Sequence, residues 1–393
     1  MSYKERAKRF LKKILPLKIY NLIYLIALSL YQSKNKYKSG LRYLFLSRPF
    51  RLFGHYPKLL YPEVLAIFLT TRCNLRCFIC RRENFTGEDF KFENIYKLKN
   101  AIKYASTIDL TGWGECFLYP RFEDVIKYIY SLNQRNNLIQ ITTNGTLLSK
   151  KKARLLRGHL KRLIISLNAA KTDTYNRDMK HGKFERTIQN IKDFMGELDK
   201  TDREKIVMHF VAHTENFREI PDFVTLAKEL GIPSINIGNY LVDIKEHRQF
   251  TLLNVKDEYN AVIDDAKRLS EELGVQLYAR RFYNEKPGSM YCLDPLISCF
   301  ILIDGQVCPC CSCGSYRLGN VYETSFESVW FSKEYNKLRK KRYLPACKKC
   351  TPFIPFDDPV AHFHPHFKEK DEFKEFVKEL EKSAETDKQR VSV

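Results

Sequence analysis

Short apolar runs alternate with longer stretches of helical periodicity from about residue 62 onwards. Short apolar runs bounded by polar residues are typical of buried strands, and apolar residues repeating every three or four positions are typical of helices that bury one face. The pattern predicts strands at Leu65–Thr71, Ser106–Leu110, Leu138–Thr143, Arg162–Leu167, Ile206–Ala212, Ser234–Ile237 and Val275–Ala279. It predicts helices between them, clearest at Phe122–Ser131, Phe184–Leu198, Ile220–Leu230 and Lys256–Leu273.

The regular order of strand and then helix predicts a parallel sheet whose strands are joined by right-handed crossovers. Gly231 and Gly274 directly follow the last two of these helices, where a left-handed glycine commonly ends a helix. A closed eight-unit barrel is one architecture that this order supports. Polar and glycine-rich segments follow several strands, at the edge of the sheet where α/β folds place their chemistry.

The basic charge of the chain is concentrated in its first 60 residues. The formal net charge is +21, and residues 1–60 hold 14 lysines and arginines against one acidic residue, Glu5. The rest of the chain therefore carries only about +8. Nucleic acid is not an expected partner, because the basic arm has no specific signal for base readout or stacking.

An apolar run, Ile19–Tyr31, lies inside this arm with lysines on both sides. Its 13 residues are fewer than the roughly 20 that span a bilayer. The segment that follows, Tyr-Gln-Ser-Lys, lacks the small-residue cleavage site of a signal peptide. We expect a helix lying on the surface of an anionic membrane, and a helix packed on the core of the protein is the alternative.

Three cysteines follow the first predicted strand in a Cys-x3-Cys-x2-Cys run: Cys73, Cys77 and Cys80. Three thiolates can bind three irons of a [4Fe–4S] cube and leave the fourth iron open to a small molecule, whereas an electron carrier supplies four cysteines. Zinc would need a fourth ligand, which this run lacks. Because no cleavable secretory signal is expected, the 12 cysteines favour metal binding in a reducing compartment over disulfides.

This run resembles the signature of the radical S-adenosylmethionine (SAM) superfamily. The resemblance implies that Cys73, Cys77 and Cys80 bind a [4Fe–4S] cluster and that SAM chelates the open iron. It also implies an α/β fold built as a partial (β/α)6 TIM-type barrel. The family usually has an aromatic residue before the last cysteine, whereas this chain has Ile79 there and Phe78 one place earlier.

The segment after the second predicted strand, Gly112-Trp-Gly114-Glu115, is similar to the family's Gly-Gly-Glu-Pro motif, with Cys116 in place of the proline. The resemblance implies that the glycines let the backbone approach the ligand. It implies that Glu115 accepts a hydrogen bond from the ammonium group of SAM.

Three further positions match polar residues of the family. Asn144 stands in a Thr-Asn-Gly segment after the third strand, where a simple turn is the alternative. Ser166 and Arg177 stand in and after the fourth strand, and the resemblance implies that they contact the ribose or carboxylate of SAM. His209 lies on an apolar strand, so we expect a core histidine there.

The C-terminal cysteines resemble the SPASM/twitch extension of radical SAM enzymes. The resemblance and the cysteine count favour one auxiliary [4Fe–4S] cluster held by Cys292, Cys310, Cys347 and Cys350, with Cys311 as an alternative to Cys310. A structural zinc bound by four thiolates is the other interpretation. We expect the dipeptide Asp304-Gly305 to form the turn of a β-hairpin.

The predicted domain organisation has four parts. An N-terminal arm (1–60) precedes a radical SAM partial barrel (61–285), a small cysteine-rich iron–sulfur domain (286–355) and a charged tail (356–393). We expect a cytoplasmic protein, attached peripherally to the inner face of the membrane through its arm.

The resemblance implies an enzyme that reductively cleaves SAM to a 5′-deoxyadenosyl radical and abstracts hydrogen from a substrate C–H bond. The auxiliary cluster favours an oxidation or dehydrogenation, and the basic, apolar arm favours a small-molecule, sugar or lipid-linked substrate. A peptide maturase with thioether or epimerisation chemistry, and a non-catalytic iron–sulfur or zinc protein, are the alternatives. A reductase such as flavodoxin or ferredoxin is the expected electron donor.

Overall fold

The structure is a computed structural model that describes residues 61–80, 87–136, 138–283, 294–311, 316–341, 356 and 358–363. The predicted arm (1–60) and most of the predicted tail lie outside the described residues. Within the described part of the chain, no helix has both the length and the apolar character needed to cross a bilayer.

Eleven strands are formed by the described residues. They are β1 (Val64–Ile67), β2 (Arg76–Cys77), β3 (Thr107–Asp109), β4 (Ile139–Thr143), β5 (Leu160–Ser166), β6 (Met179–Lys180), β7 (Ile206–Ala212), β8 (Ser234–Asn239), β9 (Gln276–Ala279), β10 (Ser298–Ile301) and β11 (Val307–Cys308). Each of the seven predicted strands is present, several with shorter bounds.

The helices lie mostly between these strands. They are α1 (Lys99–Tyr104), α2 (Phe122–Leu132), α3 (Lys150–Leu156), α4 (Thr172–Asp178), α5 (Phe184–Gly196), α6 (Lys200–Arg203), α7 (Ile220–Glu229), α8 (Lys256–Leu273), α9 (Asp294–Ile297), α10 (Phe326–Trp330) and α11 (Lys333–Lys341). Short 3₁₀ helices cover Phe92–Leu98, Cys116–Leu118, Phe217–Glu219, Lys245–Phe250, Leu252–Val255 and Pro359–His362. As predicted, Gly274 ends α8 in the left-handed conformation, with φ of 67°.

Nine strands form one sheet in the order β11-β10-β1-β3-β4-β5-β7-β8-β9. All neighbours in this sheet are parallel except β10 and β11. Neighbouring parallel strands that follow one another along the chain, joined by helices, form the wall of a (β/α) barrel. Among the described strands β9 and β11 are the two edges of the sheet, so the predicted partial barrel is confirmed.

The two faces of the sheet differ in polarity. One face carries side chains such as Ile141, Ile165 and Met208, which are inaccessible to solvent and belong to one hydrophobic core with the helices. The opposite face carries half-buried polar side chains such as Gln140, Ser166, His209 and Asn236. We call this second face the interior face, because it is the one turned away from the helices.

Strands β10 and β11 form the predicted hairpin at the start of the cysteine-rich segment. Its turn includes the predicted glycine, Gly305, whose φ of 80° favours glycine and whose N–H donates to the Leu302 carbonyl at 2.9 Å. Strand β10 also pairs with β1 of the barrel. The cysteine-rich segment is therefore hydrogen-bonded into the main sheet.

Candidate active site

Residues 68–80, which carry Cys73, Cys77 and Cys80, follow β1 at the carboxyl-terminal end of the sheet. We call them the cysteine segment. Its β2 strand pairs with β6, with Cys77 opposite Met179. The N–H of Phe78 donates to the carbonyl oxygen of Asp178 at 3.2 Å, and the N–H of Cys80 donates to the carbonyl of Cys77, also at 3.2 Å. The first bond and the pairing of β2 with β6 attach the segment to the end of α4, and the second bond closes the turn between Cys77 and Cys80.

The three thiols of this segment lie close enough to influence one another's ionisation. Burial, and then the proximity of the Cys80 and Cys73 sulfurs, raises the pKa of Cys77 to about 12. Burial and then Cys73 raise the pKa of Cys80 to about 11, and burial raises the pKa of Cys73. In the described part of the chain no three His, Cys, Asp or Glu side chains are placed to hold a single metal ion. Three neighbouring thiols fit three irons of a [4Fe–4S] cluster, and iron binding would deprotonate them.

The loop after β3 packs directly on the cysteine segment. The N–H of Glu115 donates to the carbonyl oxygen of Arg72 at 2.8 Å. A Cβ atom on Gly114 would lie only 2.7 Å from the carbonyl oxygen of Thr70, whereas one on Gly112 would meet Phe68 at an ordinary 3.4 Å. Gly114 therefore lets the loop after β3 approach closely to the backbone of the cysteine segment.

The carboxylate of Glu115 is buried, with 2% of the residue exposed. One of its oxygens accepts hydrogen bonds from the Thr143 hydroxyl at 2.9 Å and the Phe117 N–H at 3.3 Å, and the other accepts from the Asn144 N–H at 2.8 Å. Burial outweighs these bonds and raises the pKa of Glu115. A cation beside this carboxylate would stabilise its ionised form.

Asn144 lies between this carboxylate and the first cysteine. Its side-chain amide is 3.8 Å from the sulfur of Cys73 and donates to the side chain of Asn74 at 3.0 Å. Its side-chain oxygen accepts from the backbone and the hydroxyl of Thr146, at 3.0 and 2.6 Å. The structure thus brings together Cys73, Glu115 and Asn144 from three separate loops.

Ser166 and Arg177 lie further along the same edge of the sheet. Ser166 ends β5, is half-buried and lies in register with His209 of β7. The guanidinium of Arg177 pairs with Asp178 at 2.7 Å and with Glu215 at 3.3 Å. In this structure the predicted SAM-carboxylate ligand Arg177 is therefore occupied by two carboxylates of the protein.

Sequence reasoning did not identify the residues that support the cysteine segment from behind. His213 is buried, and its Nε2 lies 3.0 Å from a carboxylate oxygen of Asp178. Burial alone would raise the pKa of Asp178, but its hydrogen bonds with His213 and Arg177 outweigh that effect and lower the pKa. The ring of Phe78 packs edge-on against His213 at 4.8 Å and also contacts Phe250 at 5.1 Å. These contacts fix Phe78, one of the two residues between the predicted iron ligands Cys77 and Cys80.

Comparison with protein families identifies two domains in the chain. Residues 67–227 match the family model described as "Radical SAM superfamily", and residues 292–351 match the one described as "Iron-sulfur cluster-binding domain" (SPASM). The chain belongs to the radical SAM superfamily. The family domain binds a [4Fe–4S] cluster and SAM, and the SPASM domain binds auxiliary iron–sulfur clusters. The predicted family, fold and cofactor types are thereby confirmed.

Two curated relatives show how far this similarity extends. The chain is 25% identical over 316 residues to the "Tungsten-containing aldehyde ferredoxin oxidoreductase cofactor-modifying protein" of Pyrococcus furiosus, a match that spans 74% of this chain and 87% of that protein. It is 29% identical over 179 residues to a "Probable GTP 3',8-cyclase" of Saccharolobus solfataricus, which covers 44% of this chain and 56% of the cyclase. The second match is therefore confined to about half of the relative.

Solved structures of radical SAM enzymes share the fold of this chain. SuiB of Streptococcus suis, solved bound to S-adenosylmethionine, superposes with a TM-score of 0.57 at 19% identity, covering 85% of this chain and 80% of SuiB. The enzyme anSMEcpe, solved with bound AdoMet, gives 0.54 at 18% identity, covering 81% of this chain and 96% of the enzyme. At these identities the likeness is one of fold.

The described cysteines of the SPASM region occupy different environments. Cys310 is half-buried and Cys311 is exposed. Cys308 lies on the interior face, where the guanidinium of Arg317 is 2.9 Å from its sulfur. Cys299 is fully buried in the core on the opposite face of β10, away from the interior. The other predicted ligands, Cys292, Cys347 and Cys350, lie outside the described residues.

Proposed function

We propose that this chain is a radical SAM oxidoreductase that abstracts a hydrogen atom from a C–H bond of a small-molecule, sugar or lipid-linked substrate. When bound, the cluster and SAM supply the reductive cleavage that yields a 5′-deoxyadenosyl radical. The convergence of Cys73, Glu115 and Asn144 at the carboxyl-terminal edge of the sheet supports this proposal. Family membership supports enzymatic activity, and the oxidative outcome is our inference from the SPASM region.

The roles of this chain's residues follow from their contacts. Cys73, Cys77 and Cys80 would hold the first cluster. Glu115 would orient SAM through its ammonium group, and a bound ammonium would offset the cost of ionising this buried carboxylate. Asn144 would fix the loop of Glu115 beside Cys73.

The auxiliary cluster would bind to the cysteines of the SPASM region. We infer one auxiliary cluster, which would accept the electron left on the substrate and so give a net oxidation. A flavodoxin or ferredoxin would supply the electron for SAM cleavage. The N-terminal arm would bring the enzyme to the surface of an anionic membrane.

Anaerobic reconstitution tests the proposal directly. The full chain should bind about eight irons, the content of two [4Fe–4S] cubes, and release 5′-deoxyadenosine when reduced with dithionite in the presence of SAM. The triple variant Cys73→Ala, Cys77→Ala, Cys80→Ala should retain the auxiliary irons and release no 5′-deoxyadenosine. A parent protein that binds four or fewer irons, or zinc, and does not cleave SAM would contradict the proposal.

The substrate class needs a separate measurement. SuiB and anSMEcpe share only the fold with this chain, so their likeness does not decide between a peptide and a small molecule. Deuterium transfer from labelled candidate substrates into 5′-deoxyadenosine identifies the molecule that loses hydrogen. Transfer from a peptide, and none from small molecules, would favour the maturase alternative.

A further inference from the structure

An open pocket lies at the amino-terminal end of the barrel, opposite the edge that carries the cysteine segment. Its volume is about 640 Å³, and it is lined by residues of β5, β7, β8 and β9. Arg162, Asn236 and Tyr278 are among its lining residues. The register of the strands places these side chains on the interior face, because Ser166, His209, Asn236 and Tyr278 form one cross-strand row. The pocket is therefore the lower part of the barrel interior.

The rim and wall of this pocket carry an excess of positive charge. Among the described lining residues, Lys161, Arg162 and Lys205 stand against one carboxylate, that of Glu204. Lys205 is already paired with Asp202 at 2.7 Å, and Lys161 contacts the hydroxyl of Thr107. Most of the basic groups thus have partners within the protein.

Arg162 differs from these two lysines. It is half-buried, it lines the pocket, and among the described residues its guanidinium has neither a hydrogen bond nor an ion pair. The planar donors of a guanidinium suit a phosphate or a carboxylate. Gln276, at the start of β9, adds a neutral side chain able to donate to the same ligand.

The interior face connects this arginine to the SAM end of the barrel. Arg162 precedes Ser166 by four residues on the same strand, which corresponds to about 13 Å along a strand. On this face of β5 only Ile164 lies between them, and His209 and Asn236, whose side chains are joined at 3.1 Å, stand level with Ser166 on the neighbouring strands. A molecule of roughly that length would reach from Arg162 to the edge where SAM is expected.

We propose that Arg162 binds an anionic group, phosphate or carboxylate, at one end of the substrate and so directs the other end toward SAM. This inference rests on the proposed function and makes it more specific, since it identifies the substrate as an acidic small molecule. Asn236 and Gln276 contact the portion of the substrate next to the anionic group.

The experiment measures binding of simple anions to the reconstituted full-length protein under argon. The probes are glycerol 3-phosphate for a phosphate, succinate for a carboxylate and glycerol as the neutral reference, titrated by ligand-observed NMR. We expect one of the two anions to bind and glycerol not to. Arg162→Gln should weaken that binding at least about tenfold, the effect expected for a lost charge-assisted contact. Arg162→Lys should give an intermediate loss.

Arg186→Gln is the matched control, because Arg186 is exposed on α5. This substitution should leave anion binding unchanged. Thermal melting and iron content of each variant establish that it is folded. The proposal is overturned if neither anion binds the parent protein, or if Arg162→Gln binds as tightly as Arg186→Gln. Release of 5′-deoxyadenosine is measured in the same parent preparation. Release without anion binding would reject only the Arg162 site, whereas anion binding without release would reject only the proposed function.

Discussion

The backbone N–H of Asn144 donates a 2.8 Å hydrogen bond to the buried carboxylate of Glu115. This bond links the loop after β3 to the loop after β4, and the side chain of Asn144 then reaches to 3.8 Å from the Cys73 sulfur. The carboxylate therefore has a structural role in joining the three loops of the site, in addition to any contact with SAM.

Glu115→Gln tests this double role. The change replaces one carboxylate oxygen, which accepts bonds only, with an NH₂ group that would face the Asn144 N–H or the Thr143 and Phe117 donors. We expect the free energy of unfolding to fall by about 1–3 kcal/mol and SAM binding to weaken. Thermal melting and equilibrium binding of SAM measure the two effects. Glu271→Gln, at an exposed position of α8, is the control, and equal behaviour of the two variants would refute the prediction.

Gly114→Ala should displace the cysteine segment. Its new methyl group would overlap the carbonyl oxygens of Arg72 and Thr70, and overpacking of this kind costs about 1–3 kcal/mol. We expect a lower melting temperature and loss of iron from the first cluster, measured by iron content and by the electron paramagnetic resonance signal. Gly112→Ala is the matched control, because its methyl group would meet Phe68 at 3.4 Å. Full iron content in Gly114→Ala would show that the loop after β3 can move away from the cysteine segment without loss of the cluster.

The sequence predicts the strands of the barrel well because their apolar runs are continuous and lie between clear helical periods. It does not predict that β10 continues the sheet beside β1. That pairing joins Leu65 to Cys299 across more than 200 residues, and no local pattern encodes a contact of this range. The sequence therefore predicts the cysteine-rich segment as a separate small domain.

Residues of the site that belong to short motifs could be predicted from the sequence. The buried residues that pack against them could not. Cys73, Glu115 and Asn144 each stand in a recognisable local segment. Asp178 and His213 form a buried pair across 35 residues, and neither lies in a motif. The motif of Arg177 predicts a contact with SAM, and only the structure reveals its pairing with Asp178 and Glu215.

Cys310 and Cys311 should differ in their effect on the auxiliary cluster. Cys310 is half-buried and packs beside Leu338, whereas Cys311 is exposed, and a cluster ligand is better shielded in the first environment. Cys310→Ala should therefore lose about four irons, the content of one cube, and Cys311→Ser should keep them. Iron and sulfide analysis after anaerobic reconstitution gives the result. Loss of iron from Cys311→Ser alone would reverse the assignment.

His209 should make stability depend on pH. Burial lowers the pKa of His209 from its ordinary 6.5, and Arg162 lowers it further while Asn236 opposes the shift. As the pH falls below about 6.5, the unfolded chain takes up a proton that the folded chain does not, so unfolding becomes easier. We expect the melting temperature of the parent to fall more than that of His209→Gln between about pH 7.5 and about pH 5.5. Parallel curves for the two proteins would show that His209 titrates normally.

The basic arm should bind anionic membranes through charge and apolar contact together. Lysines near such a surface each contribute about 1 kcal/mol, so Lys12→Glu, Lys13→Glu and Lys18→Glu combined should abolish flotation of the full chain with vesicles that contain phosphatidylserine. Vesicles of phosphatidylcholine alone should bind the parent weakly, since the charge attraction is then missing. A matched triple change on the barrel, Lys127→Glu, Lys192→Glu and Lys228→Glu, should leave flotation intact. Equal flotation of the arm variant and the parent would instead favour a helix packed against the core of the protein.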